Sequence, residues 1–270
     1  MILSTMTVPA MDEILAIAEH PDGDIAEAAL LMAAQDFPGL DIEPYLTRID
    51  RLAHTLRADL DESRRAPIEA IAKVMREQLQ LRGAGGGDPS AHYLHTVLDK
   101  QCGIPIACSS LWIAVGKRAE VDVEGIALPG HFVVRVNGQF ADPFSGGDPL
   151  DDTAMRRIVG KALGSAPIIL DPIWLQPANV RGILRRMCRT LRGCYASREE
   201  WEMALTFAHR CVILAPDEPK DLRDRGLILW RIGNPKAALA DLSDYLNAAS
   251  SATDRTNIED VVGRLRSSLN

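Results

Sequence analysis

Residues 121–142 read Val-Asp-Val-Glu-Gly-Ile-Ala-Leu-Pro-Gly-His-Phe-Val-Val-Arg-Val-Asn-Gly-Gln-Phe-Ala-Asp, and this stretch decides the fold. The runs 121–128 and 132–136 are β-branched and are split by Pro129-Gly130; Asn137-Gly138 is a strong two-residue hairpin signal leading into Gln139-Phe140-Ala141. The pattern predicts three short antiparallel strands. Upstream, residues 107–118 look helical, and Gly103-Ile104-Pro105-Ile106 ends one element and starts the next. A helix followed by a small antiparallel sheet is therefore expected at the centre of the chain, inside a fold that is α+β but mostly helical.

Moving outward, residues 1–82 place apolar side chains at helical spacing: Ile14, Leu15, Ile17 and Ala18, then Ile25, Ala28, Ala29, Leu30, Met32 and Ala33. Asp24 is placed to cap the second helix, and Pro67 suits the first turn of a helix over 67–81. This segment holds 15 acidic and 8 basic residues, whereas 83–270 balances. Residues 83–89, Gly-Ala-Gly-Gly-Gly-Asp-Pro, read as a loop with some freedom, followed by a short helix over 93–100. Beyond 142 the pattern gives a helix over 151–164, an extended crossing over 167–177, and helices to the end. The expected organisation is a helical layer (1–82), a core (83–170) and a helical tail (171–270).

The tail contains a repeat. A shift of 34 residues superposes Ala204-Leu205 on Ala238-Leu239, Tyr195 on Leu229 and Ala208 on Leu242, a period typical of tetratricopeptide helix pairs. Gly226, Gly233 and Ala238 stand where such helices approach or turn, while Arg192 replaces the glycine expected in the first unit. Stacked helix hairpins hold peptides or other protein surfaces. A protein or peptide partner is therefore expected.

Composition removes several classes. Thirty Lys plus Arg against 37 Asp plus Glu leaves −7, the wrong sign for a surface that binds nucleic acid. No apolar run nears the roughly 18 residues needed to span a bilayer, and the start lacks the marks of a secretory signal, so a cytoplasmic protein is expected. Five scattered cysteines fit reduced thiols better than a disulfide framework or a metal set. Phosphate-binding and dinucleotide glycine motifs are missing, and no cofactor or metal is expected.

Chemistry concentrates around the central helix and strands. A thiol near a helix start, a histidine beside a strand and an aspartate at a strand end form a nucleophile, base and orienter; Cys108, His131 and Asp142 occur in that order. Gly103-Ile104-Pro105-Ile106, Leu128-Pro129-Gly130-His131-Phe132 and Asp142-Pro143-Phe144 resemble the SirB family of bacterial proteins over about residues 30–246. The resemblance implies a transglutaminase-like core, often with a tetratricopeptide tail. In catalytic transglutaminase-like domains the nucleophile follows a glycine by two residues, a register occupied here by Pro105, with Cys108 three residues later.

The thiol of Cys108 thus has three readings: a small core residue, an active nucleophile or an oxidation-sensitive group. His131 and Asp142 read either as base and orienter or as a hydrogen bond that pins two strands. Pro105, His95, Gly130 and Phe132 are candidate groove residues. Cys102 is a second loop thiol, expected to be exposed and idle. His92 and His95, three apart on a short helix, read as surface histidines more readily than as metal ligands. Arg181, Arg185, Arg189 and Arg192 form a basic stripe expected to be solvated or paired with the acidic N-terminal layer.

Two functions follow. One is a SirB-like regulatory or protein-binding protein on a non-catalytic scaffold. The alternative is a cysteine-dependent amide or ester hydrolase, or an acyl transferase, using Cys108, His131 and Asp142.

Overall fold

The computed structural model describes residues 8–165 and 169–269. Helices α1 (Val8–Glu19), α2 (Ile25–Asp36), α3 (Glu43–Glu62) and α4 (Pro67–Glu77) form the N-terminal part. They begin where the sequence supplies start signals: the Asp24 side chain accepts from Ala26 N at 2.9 Å, and Pro67 is the first residue of α4. After β1 (Arg82–Gly83) and a 3-10 turn (Pro89–His92) come α5 (Leu94–Lys100), β2 (Cys102–Gly103) and α6 (Pro105–Arg118). Strands β3 (Val123–Ile126), β4 (Val133–Val136), β5 (Gln139–Asp142) and β6 (Asp148–Pro149) follow, then α7 (Asp152–Leu163) and β7 (Pro177–Ala178). The chain closes with α8 (Val180–Ser197), α9 (Trp201–Leu214), α10 (Pro219–Arg231), α11 (Pro235–Ala248) and α12 (Arg255–Leu269). By contacts it divides into two units, Met1–Leu184 and Arg185–Asn270.

In the first unit, α6 is the central element. Helices α2, α3, α4 and α5 pack against it, as do β3 and β4. Its apolar residues point in several directions and are buried together, from Ile106 and Ala107 to Leu111, Trp112 and Val115. The sheet is antiparallel in the order β6-β5-β4-β3-β7. Val123 pairs with Val136 and Val134 with Ala141. Asn137 and Gly138 take φ values of 45° and 85°, the left-handed pair of a type I′ hairpin. Ile126, Leu128 and Val133 form a core with Met155 and Val159, which lie one turn apart on α7. Fold class thus follows the expectation: mostly helical, with a small antiparallel sheet behind a central helix.

The glycine stretch differs from its expectation of freedom. Arg82 and Gly83 pair in parallel with Cys102 and Gly103, Ala84 N donates to Gly103 O at 2.9 Å, and the His92 ring bonds Gly86 O at 3.1 Å. Asp88 then caps the 3-10 turn through Ser90 N. The backbone of this stretch is held by the β2 backbone and by the His92 ring, partners that composition does not reveal. Of the expected crossing over 167–177, residues 167 and 168 lie outside the described residues; the rest contains the 3-10 turn Pro172–Leu175 and strand β7.

In the second unit the 34-residue repeat appears as two successive helix pairs, α8 with α9 and α10 with α11, followed by α12. Ala204 and Ala238 are both fully buried, as are Ala208 and Leu242, so the superposed positions share one packing role. A Cβ built on Gly226 would stand 2.8 Å from Leu242 Cγ and 3.1 Å from Asp241 Cβ; only glycine lets α10 and α11 come this close. The basic stripe on α8 is a correction. Arg181 does pair with Glu19 of the acidic layer, at 3.1 Å, but Arg185 Nε donates to Asp221 Oδ2 at 2.6 Å, and Arg192 pairs with Asp221 and Asp224. The stripe is held by α10 rather than by solvent, because that helix offers acids at matching height.

Candidate functional site

Helix α6 begins as the sequence dictates. Ile104 is extended, with φ −71° and ψ 164°, and Pro105 takes the first helical position, where its missing N–H costs nothing. Cys108 N donates to Ile104 O at 3.0 Å, so its backbone already belongs to the helical ladder. The N–H groups without an intrahelical partner are those of Ile106 and Ala107, ahead of the thiol. Cys108 Sγ is fully buried and bonds Gly103 O at 3.3 Å, with Arg82 O at 3.9 Å. Burial, with the Asp142 carboxylate adding to it, pushes this thiol up to about 12. At neutral pH it is protonated, a weak donor to two carbonyls.

His131 and Asp142 come together. His131 Nε2 lies 3.0 Å from Asp142 Oδ1, and because an ionised carboxylate only accepts, the proton sits on Nε2. The same Oδ1 accepts Phe144 N at 3.0 Å, and Oδ2 accepts Ser145 Oγ at 2.8 Å. Burial alone would raise the Asp142 pKa; the bonds from His131, Ser145 and Phe144 outweigh it and hold the group below the usual carboxylate range. The Phe144 ring stands edge-on to the imidazole, centroids 5.7 Å apart. Asp142 thus bonds the His131 ring and ties the end of β5 to the turn that follows.

The imidazole opens onto a pocket of about 430 Å³. Its walls include Phe144 on one side and Ile158, Lys161 and Ala162 of α7 on the other, while Cys108 does not line it. Gly130, with φ +69°, is pressed against α7: a Cβ there would stand 2.4 Å from Ala162 Cβ. Of the groove candidates, then, Gly130 lines the pocket. Pro105 is half-buried at the start of α6, and Phe132 is a core residue whose carbonyl accepts Ser109 Oγ at 3.2 Å. His95 stands in an aromatic group with its ring 4.8 Å from Phe37 and 5.9 Å from Tyr45.

The two histidines correct the expectation of surface positions. Both are buried, His92 in the 3-10 turn and His95 in α5, with extended Tyr93 between them, so they do not share one helix face. Burial lowers both pKa values. Cys102 is half-buried in β2. Ser145, Ile158 and Lys161 escaped sequence reasoning. A signal existed for the last two: Ile158, Lys161 and Ala162 fall at i, i+3 and i+4 on one face of α7.

A family model described as Transglutaminase-like superfamily matches residues 43–189, and one described as Tetratricopeptide repeat matches residues 191–263. The chain is 35% identical over 263 residues to a UPF0162 protein of Xylella fastidiosa strain Temecula1, covering 93% of this chain and 92% of that relative. The chain belongs to the UPF0162/SirB family. A UPF0162 protein of Pseudomonas aeruginosa is 25% identical over 92% of the chain and 93% of the relative. Protein SirB1 of Salmonella typhimurium is 23% identical over 58% of the chain and 59% of its own length. Among solved structures, the crystal structure titled as revealing menin's binding site for Mixed Lineage Leukemia protein aligns at a TM-score of 0.40 and 12% identity, over 89% of this chain and 69% of that one. No described helix is long and apolar enough to cross a membrane.

Proposed function

We propose that this UPF0162/SirB member is a cytoplasmic regulatory or protein-binding protein, built on a transglutaminase-like scaffold without a working nucleophile. The observation that carries the reading is the state of Cys108: fully buried and bonded to the Gly103 carbonyl, a setting that pushes the thiol pKa up to about 12. Pro105 supports it, since the register that holds the attacking thiol in catalytic relatives has no thiol here. The tetratricopeptide helices support a protein or peptide partner.

Alkylation tests this directly. In a Cys102→Ser background, iodoacetamide followed by peptide mapping should leave Cys108 unmodified in the folded protein and modify it after unfolding. An alkylation midpoint well below the free-thiol value of about 8.5 would overturn the reading. The competing reading is a cysteine-dependent amide or ester hydrolase, or an acyl transferase, using Cys108, His131 and Asp142. Its support is the His131–Asp142 bond at 3.0 Å beside an open pocket.

A further inference from the structure

The pocket beside His131 has an uneven charge. Asp142, its one carboxylate, is engaged on both oxygens: one takes His131 and Phe144 N, the other takes Ser145. Against it stands Lys161 in the wall, with Arg157 one turn earlier on the same face of α7. Neither is ion-paired among the described residues, whereas the neighbouring Arg156 is bound to Asp152 at 2.5 Å. Beside these cations lie the apolar surfaces of Phe144, Ile158 and Ala162. In a chain of net charge −7, an unpaired cation next to an apolar wall in a cavity of about 430 Å³ is a complementary surface for a carboxylate attached to an apolar group.

We propose that this pocket takes an acidic side chain of a partner polypeptide, with Lys161 on the carboxylate, Arg157 reinforcing it from the rim, and the flanking apolar residue of the partner against Phe144 and Ile158. The inference rests on the protein-binding reading above and names the chemistry of the segment bound. A phosphate, with up to two charges to balance, is the poorer fit, because Lys161 is the single cation among the residues lining the wall.

The test uses the full ¹⁵N-labelled chain titrated with acetyl-Leu-Glu-Leu-amide and with acetyl-Leu-Gln-Leu-amide. Shift changes should centre on Gly130, Phe144, Lys161 and Ala162. The glutamine peptide should bind about fivefold more weakly, the effect of one partly exposed charge pair. Lys161→Glu alters an exposed residue and should remove the preference for the glutamate peptide without moving the melting temperature. The proposal is overturned if the two peptides bind alike, if the shifts fall elsewhere, or if acetate alone matches the peptide's affinity, which would make the occupant a small acid. Loss of binding with Cys108 still inert to alkylation refutes this inference alone; a reactive Cys108 refutes the reading beneath it.

Discussion

Asp142 shows how one buried side chain serves both a fold and a site. It is 4% exposed and accepts three hydrogen bonds, from an imidazole, a backbone N–H and a hydroxyl. Replacing it with alanine strands the His131 and Phe144 donors, and should lower stability by about 1–3 kcal/mol, measured by urea unfolding near neutral pH. An unchanged midpoint would show that the pair contributes nothing to the fold. The pairing of His131 with Asp142 was legible because Asp142 ends β5 and His131 lies two residues before β4, two neighbouring strands that the sequence patterns strongly. The core-residue reading of Cys108 was legible from its place beside Ala107 and Leu111, but the carbonyls it meets were not. One turn of helix separates a thiol at the free N–H groups from one inside the ladder, and the two carbonyls it meets belong to β1 and β2, two-residue strands with no pattern of their own.

At the scale of elements, close approach governs what α10 and α11 tolerate. Gly226→Ala would put a methyl group against Leu242 in a filled interface, costing about 1–3 kcal/mol by overpacking. Higher helix propensity returns about 1 kcal/mol of that. The net change should be destabilising and visible as a lower urea midpoint; a more stable variant would mean that the two helices can separate freely. The close approach at Gly226 is legible from the spacing of Gly226, Gly233 and Ala238 within the second unit, since the first unit carries Arg192 at the equivalent position. The anchoring of residues 82–88 does not, because glycine composition reports what the backbone is able to do and not which carbonyl it meets. The short strands β6 and β7 were equally invisible, each holding two residues with no alternation to read. His92 and His95 illustrate the same limit: their spacing assumed one continuous helix, and extended Tyr93 breaks it.

For the whole molecule, the buried titratable groups predict acid sensitivity in two stages. Burial holds His92, His95 and His209 below the ordinary imidazole value, so the unfolded chain takes up protons first as pH falls. Their contribution is complete above about pH 6.5 and is lost below it. Asp142 is held below the usual carboxylate range, as is Asp59, whose chief partner is the Lys73 ammonium; their contribution is present above about pH 4 and disappears as pH drops through the folded values. Melting temperatures at about pH 7.5, 5.5 and 3.5 should fall at each step, and a flat profile over the first interval would show that the histidines are not held neutral.

Charge in the second unit converges on a single atom group. Asp221 is fully buried, and Arg185, Arg189 and Arg192 all reach it from α8. Tolerance there is lopsided. Any one spoke can be lost while the hub keeps the others, but removal of the hub unbalances all three at once: Arg185 is left with Glu218, Arg192 with Asp224, and Arg189 loses its carboxylate contact. A substitution at this one carboxylate therefore disturbs three arginines together, whereas a substitution at any one of them disturbs a single spoke.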